Sequence, residues 1–134
     1  MSHPPFTASV ISGAKRGKRL GTPTLNLERT EVPGDLPEGI YACFAMIDGH
    51  FEPAVMHHGP RPVFADTPST EIHLLDRTVH LAPDTLTVLP IHRLRDVENF
   101  PSIQALQRQI AEDIAASRAI LSEHGDPHSQ ASHP

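Results

Sequence analysis

The stretch Gly39-Ile40-Tyr41-Ala42-Cys43-Phe44-Ala45-Met46-Ile47-Asp48-Gly49-His50-Phe51 decides the fold. From Gly39 to Ile47 every residue is apolar, aromatic or small. Such an unbroken run fits a strand covered on both faces, because no alternate side is reserved for water. Asp48-Gly49 is a two-residue hairpin signal, since the tight turn wants positive φ at both positions. Phe51 to His57 is therefore expected as the returning strand.

Outward from this hairpin the same chemistry recurs. Phe6 to Ile11 is short and β-compatible. Leu27 to Glu38 is polar, is broken by Pro33-Gly34 and Pro37, and is expected as a loop. Gly59 to Ser69 carries Pro60, Pro62 and Pro68 and is expected as a second loop. Thr70 to Leu75 is a strand in which Ile72 and Leu74 share one face and Glu71 and His73 the other. Thr85 to Ile91 is a further β segment, with Pro90 placing its end at an edge or bulge. From Ser102 the period becomes helical: Ile103, Leu106, Ile110, Ile114 and Leu121 fall on one stripe, with Ser102 as N-cap. The helix is expected to end near Leu121. Residues 122–134, rich in His, Ser and Pro, are expected to form a disordered polar tail behind a domain spanning 1–121. The strands leave little room for crossover helices. The expectation is an all-β protein: a small, largely antiparallel barrel packed by one C-terminal α-helix.

Composition bounds the function. The chain has 134 residues, enough for one ordinary domain. Its net charge of −5 argues against a broad nucleic-acid surface. Yet Lys15, Arg16, Lys18 and Arg19 crowd into one loop, which reads as a local anion site. The single Cys43 excludes an intrachain disulfide and fits a reducing compartment. No apolar run approaches the ~20 residues of a membrane span, and no signal peptide is visible at Met1-Ser2-His3-Pro4-Pro5. A cytoplasmic monomer acting on small molecules, without nucleic-acid or membrane partners, is expected.

The basic loop runs into Gly17-Lys18-Arg19-Leu20-Gly21-Thr22-Pro23-Thr24-Leu25-Asn26. Gly13, Gly17 and Gly21 would let backbone N–H groups approach an anion, and Lys18 adds charge. Arg19 follows Gly17-Lys18, so this is not a Walker A motif. Thr24 and Asn26 offer oxygens on one face of an extended segment, suited to a magnesium–nucleotide. Read alone, the glycines also fit an ordinary turn, and Glu71 a solvent-facing strand residue. His57, His58 and His73 match no metal-ligand spacing.

Taken in order, the segments resemble the riboflavin kinase (flavokinase) domain. The resemblance rests on Leu20-Gly21-Thr22-Pro23-Thr24-Leu25-Asn26, Gly39-Ile40-Tyr41, His58-Gly59-Pro60-Arg61-Pro62, Glu71-Ile72-His73-Leu74-Leu75-Asp76 and Leu94-Arg95-Asp96-Val97-Glu98-Asn99-Phe100-Pro101-Ser102. It covers Val10 to Leu121. The chain departs from the family pattern in three places. Thr22 replaces an apolar residue, His57-His58 stand before Gly59 where Asn-Ile or Ser-Ile is usual, and Leu81-Ala82-Pro83 replaces an aromatic-Gly pair.

The resemblance implies a six-stranded antiparallel barrel with a C-terminal helix, in stand-alone form without an adenylyltransferase domain. It implies transfer of the ATP γ-phosphate to riboflavin, giving FMN. Thr24 and Asn26 would hold Mg²⁺, Glu71 would be the general base, and Gly13, Gly17, Lys18 and Gly21 would cover the phosphates. Arg95 would lie by the flavin. Two other readings stay open. One is a non-catalytic module binding flavin or nucleotide; the other is a metal-binding protein using His57, His58 and His73.

Overall fold

Local chemistry sets the strands, and their alternation closes them into a barrel. In the computed structural model the described residues are 3–11, 24–60, 68–77, 79 and 82–125. The strands are β1 (Phe6–Ile11), β2 (Thr24–Leu27), β3 (Gly39–Ile47), β4 (His50–Pro60), β5 (Pro68–Leu74) and β6 (Thr85–Arg95). Helix α1 spans Ile103–His124, and a short 3-10 turn, Arg29–Glu31, follows β2. The strands close in the order β1-β2-β5-β4-β3-β6, every pairing antiparallel. Among the described residues, closure leaves no unpaired sheet edge.

The Asp48-Gly49 hairpin forms as its turn chemistry dictates, with φ of 52° and 83° at the two residues. It joins β3 and β4 in continuous register from Ile47↔His50 to Gly39↔His58. Alternation then sorts β3. Tyr41, Cys43, Ala45 and Ile47 fill the barrel with Leu25, Leu27, Met56, Ile72, Leu74, Leu86 and Val88. Ala42 and Phe44 face outward into a second cluster with Ile91 and Leu121 beneath α1. Both faces of β3 are covered, as its unbroken apolar run requires. Burial also raises the Cys43 thiol far above its ordinary range, so it stays protonated and inert. At the start of β3, Gly39 has φ of 157°, and a Cβ there would lie 2.6 Å from Arg93 Nε and 2.9 Å from the Arg95 carbonyl. Only glycine admits that approach.

Several expectations are corrected in length: β4 and β5 take Gly59, Pro60, Pro68 and Ser69 from the expected loop. β6 does not end at Ile91 but continues to Arg95. Opposite β3 the register skips Ile91 and Leu94, so the irregularity expected at Pro90 is a bulge within the strand and is repeated further along. Bulges re-aim side chains, and both extra residues join the cluster under α1. The helix likewise runs three residues past Leu121, so Ser122–His124 belong to it, and Gly125 closes it by donating its N–H to the Leu121 carbonyl at 3.1 Å. Residues 126–134 of the expected tail lie outside the described residues.

The helix is also rolled relative to its apolar stripe. Ser102 caps it as expected, accepting from the Ala105 N–H. The deeply buried residues, however, are Asp113, Ser117 and Leu121, while Ile103 and Ile110 are 54% and 41% exposed. The cause is an ion pair. Arg95 at the end of β6 forks onto Asp113, Nε to Oδ1 at 3.0 Å and Nη2 to Oδ2 at 2.8 Å, and Gln109 adds a bond to Oδ1 at 3.1 Å. A bidentate pair of this kind is geometrically exacting, and satisfying it turns Asp113 and Ser117 inward. Arg95 also donates to the Asp96 carbonyl and lies 5.7 Å from the centre of the Phe100 ring.

Two substitutions on this face should move stability in opposite directions. Asp113→Ala leaves Arg95 charged and shielded, and is expected to cost about 3 kcal/mol. The Ser117 hydroxyl is buried without a hydrogen-bond partner among the described residues. Ser117→Ala should therefore stabilise by roughly 1 kcal/mol. Urea titrations followed by circular dichroism would measure both. A destabilised Ser117→Ala protein would show that the hydroxyl has a partner.

Candidate functional site

The strand alternation that fills the barrel sets the site on its outside. Leu25 and Leu27 of β2 point inward, so Thr24 and Asn26 point outward. On β5, Ile72 and Leu74 point inward, so Glu71 and His73 point outward beside them. The antiparallel register places Asn26 directly opposite Glu71 and Thr24 directly opposite His73. Side chains so paired share a face, with Cβ atoms typically about 5 Å apart. The oxygens of Thr24 and Asn26 and the carboxylate of Glu71 thus occupy one patch.

The row through Glu71 continues around the barrel. His57 on β4 lies opposite Glu71, Ile40 on β3 opposite His57, and Arg95 on β6 opposite Ile40. On the other side Ile11, at the end of β1, lies opposite Asn26. Three strand steps separate Glu71 from Arg95, about 14 Å of arc. Arg95 therefore belongs to the same outer row, although its guanidinium is engaged with Asp113.

Three hydrogen bonds hold the patch. Ser69 Oγ donates to Glu71 Oε2 at 3.0 Å, and the Ser69 carbonyl accepts from Arg29 Nη1 at 3.3 Å. Thr24 Oγ1 and His73 Nδ1 are 3.2 Å apart. Burial lowers the pKa of His73, favouring a neutral imidazole. His58 points the other way, into the barrel, where Nδ1 lies 2.8 Å from the Thr70 hydroxyl. Its pKa is lowered first by burial and then by the Arg29 charge.

His57 and His73 are thus on the outer face and His58 on the inner one, so the three imidazoles do not converge. Among the described residues no three His, Cys, Asp or Glu side chains gather as metal ligands. The histidine metal centre is set aside on this ground. Gly13, Gly17, Lys18, Gly21 and Thr22 lie outside the described residues. Their segment joins Ile11 to Thr24, which flank Asn26 in the sheet. Ala82, at the third departure from the family pattern, is exposed. Sequence reasoning missed Ser69 and the Thr24–His73 contact. The alternation Ser69-x-Glu71-x-His73 carried the first signal, since all three fall on one face.

The buried His58 gives a pH test. In the unfolded chain an imidazole takes up a proton near its ordinary value of about 6.5, whereas the folded protein resists protonation. The unfolded state then binds more protons, so stability is full above that value and falls as pH drops below it. His73 adds to the same trend. His58→Gln should flatten the loss between about pH 6.5 and 5, measured by urea unfolding across that range. An unchanged slope would show that His58 carries none of it.

A family profile described as "Flavokinase: Riboflavin kinase" matches residues 2–121. The chain is 39% identical over 115 residues to a bifunctional riboflavin kinase/FMN adenylyltransferase of Pseudomonas fluorescens, covering 83% of this chain and 36% of that protein. It is 28% identical over 112 residues to the RNA-binding riboflavin kinase RibR of Bacillus subtilis, covering 82% of this chain and 48% of that one. The chain therefore spans between about a third and a half of these relatives. Among solved structures, a chain described as a macrolide-efflux protein from Streptococcus pneumoniae shares the fold, with a TM-score of 0.67 and 26% identity, covering 85% of this chain and 38% of that one. No helix among the described residues is long and apolar enough to cross a membrane.

Proposed function

The chain belongs to the riboflavin kinase family, and we propose that it transfers the γ-phosphoryl group of ATP to the ribityl 5′-hydroxyl of riboflavin, yielding FMN and ADP. The family implies riboflavin and ATP as substrates. The observation that carries the proposal is the β2–β5 register, which sets Asn26 against Glu71 and Thr24 two residues away on the same face. A module that only bound flavin would have no use for a carboxylate beside paired hard oxygens, and the family favours the enzyme over that reading.

The roles follow from the chemistry. Glu71, which accepts from Ser69 through Oε2, is the carboxylate of the patch and takes the part of general base. The carboxylate takes the hydroxyl proton as the riboflavin oxygen attacks the γ-phosphorus. A new P–O bond forms, the bond to the β,γ-bridging oxygen breaks, and ADP leaves with that electron pair. Thr24 and Asn26 suit Mg²⁺: they are neutral, hard oxygen donors too few to make a protein-only cage, as expected when substrate phosphates complete the shell. When bound, Mg²⁺ supplies charge neutralisation on the phosphates. Gly13, Gly17, Lys18 and Gly21 would cover the phosphates from the segment entering at Thr24.

The flavin is assigned to the end of the outer row, by Arg95 and the start of α1. The partly exposed Val97 and Phe100 and the exposed Ile103 offer apolar surface there. Arg95 then acts by fixing α1 against the barrel as well as by its charge. The closed strand order among the described residues offers no open edge for a second copy to pair with, which supports a monomer as the working unit. The net charge of −5 favours small-molecule partners over nucleic acid. The lone, buried Cys43 suits the cytoplasm.

Incubation with riboflavin, ATP and Mg²⁺, followed by chromatography, should reveal FMN. Flavin fluorescence quenching without product would support the binding module instead. Glu71→Gln should retain the fold and flavin binding and lose roughly 10²–10⁴-fold in turnover. Asn26→Ala should raise the Mg²⁺ concentration needed for half-maximal rate. Near-normal turnover in the first variant, or an unmoved metal titration in the second, would remove that residue from the mechanism.

A further inference from the structure

The Thr24–His73 contact has no part in the chemistry above, yet it lies between the two strands that build the site. Their Cα positions are directly opposed in the ladder, and the hydroxyl and Nδ1 are 3.2 Å apart. His73 is flanked on its other side by Val55 of β4, its cross-strand neighbour, and along its own strand by Glu71 two residues before it. The ring is half-buried in this row.

We propose that His73 is a positioning residue for metal binding, its Nδ1 accepting the hydroxyl hydrogen of Thr24 and so fixing the direction of the Thr24 oxygen lone pairs. The inference rests on the reading of Thr24 as a Mg²⁺ ligand. A threonine hydroxyl has one hydrogen and two lone pairs and rotates freely unless something holds the hydrogen. As a cation ligand it must turn the hydrogen away from the cation. An acceptor on the flank does that, and a donor there would occupy a lone pair instead. With its proton on Nε2, the imidazole presents Nδ1 to the Thr24 hydroxyl as such an acceptor, 3.2 Å away. Partners of this kind orient the ligating atoms of metal sites, and their loss typically costs about 10–100-fold in metal affinity.

The test needs a readout apart from turnover. Binding of Mn²⁺ to the protein with ADP, followed by electron paramagnetic resonance, measures the metal site directly. His73→Leu keeps apolar bulk but no acceptor; His73→Asn keeps an acceptor near the Nδ1 position, whereas His73→Gln places its amide near Nε2. His73→Leu and His73→Gln should weaken Mn²⁺ binding about 10-fold or more and raise the Mg²⁺ requirement with little change in kcat at saturating metal. His73→Asn should recover most of the affinity. If His73→Leu fails to fold, the contrast between the Asn and Gln variants decides. In a Thr24→Val background, His73→Gln should have no further effect on metal binding, because the two residues act as a unit.

Wild-type Mn²⁺ affinity in both His73→Leu and His73→Gln overturns the inference. So does an equal loss from His73→Gln with and without the Thr24 hydroxyl. Unchanged metal binding in Thr24→Val alone overturns the ligand reading itself. A weakened Thr24→Val beside unaffected His73 variants overturns only the positioning role.

Discussion

The register of β2 against β5 is the constraint on which the rest depends. Side chains alternate along a strand with a period of two, so a slip of one residue would turn Thr24, Asn26, Glu71 and His73 into the barrel and Leu25, Leu27, Ile72 and Leu74 out of it. Those four apolar side chains are almost completely buried. Exposing them would forfeit roughly 1.5–3 kcal/mol for each fully buried side chain, before any cost of burying a carboxylate. The hydrophobic core therefore fixes the polar site from behind. The precision with which Asn26 meets Glu71 comes from residues that never touch a substrate.

The helix is attached by a different kind of interaction. Apolar contact beneath it involves Ala42, Phe44, Ile91 and Leu121, and such non-directional contact alone specifies its rotation weakly. The Arg95–Asp113 fork specifies it well, because two parallel N–H···O bonds tolerate little turning. A buried ion pair of this sort is poor evidence of net stability, since desolvation offsets much of the attraction. Its use here is orientational. It places the start of α1 beside the outer row that leads from Glu71, and it leaves Ile103 and Ile110 partly exposed. The two bulges in β6 serve the same junction by turning Ile91 and Leu94 under the helix.

Most of the barrel was legible in the sequence because its signals are local. The unbroken run of β3, the Asp48-Gly49 turn, the alternation of β5 and the Ser102 cap each depend on a few neighbouring residues, and each forms as read. What was illegible depends on distant partners. Nothing near Asp113 announces that Arg95 will claim it, so the apolar stripe, although it ends on the buried Leu121, did not carry the roll that turns Asp113 and Ser117 inward. Nothing near Pro90 shows that β6 resumes after its bulge, because the pairing strand lies more than forty residues upstream. The common face of Glu71 and His73 was readable from alternation. Their partners on β2 were not, since Thr24 and His73 are 49 residues apart and meet only through the closed strand order.

The donor set of the patch bears on how such a site can be selective. A protein-only metal centre gathers several anionic or imidazole ligands and holds its ion whether or not substrate is present. Here the described ligands offered are a hydroxyl and an amide, both neutral, beside one carboxylate. Two neutral oxygens hold a hydrated divalent ion weakly, so on this reading the ion is retained only when phosphate oxygens share it. Metal and nucleotide then bind as one unit, and Glu71, one strand away, keeps its charge available for the hydroxyl proton instead of spending it on the ion. Replacing Asn26 by an aspartate would strengthen the grip on metal but set a second negative charge directly opposite Glu71. Like charges at that spacing repel each other and the incoming phosphates alike, which gives a physical reason for an amide to stand where a carboxylate would bind the cation more tightly.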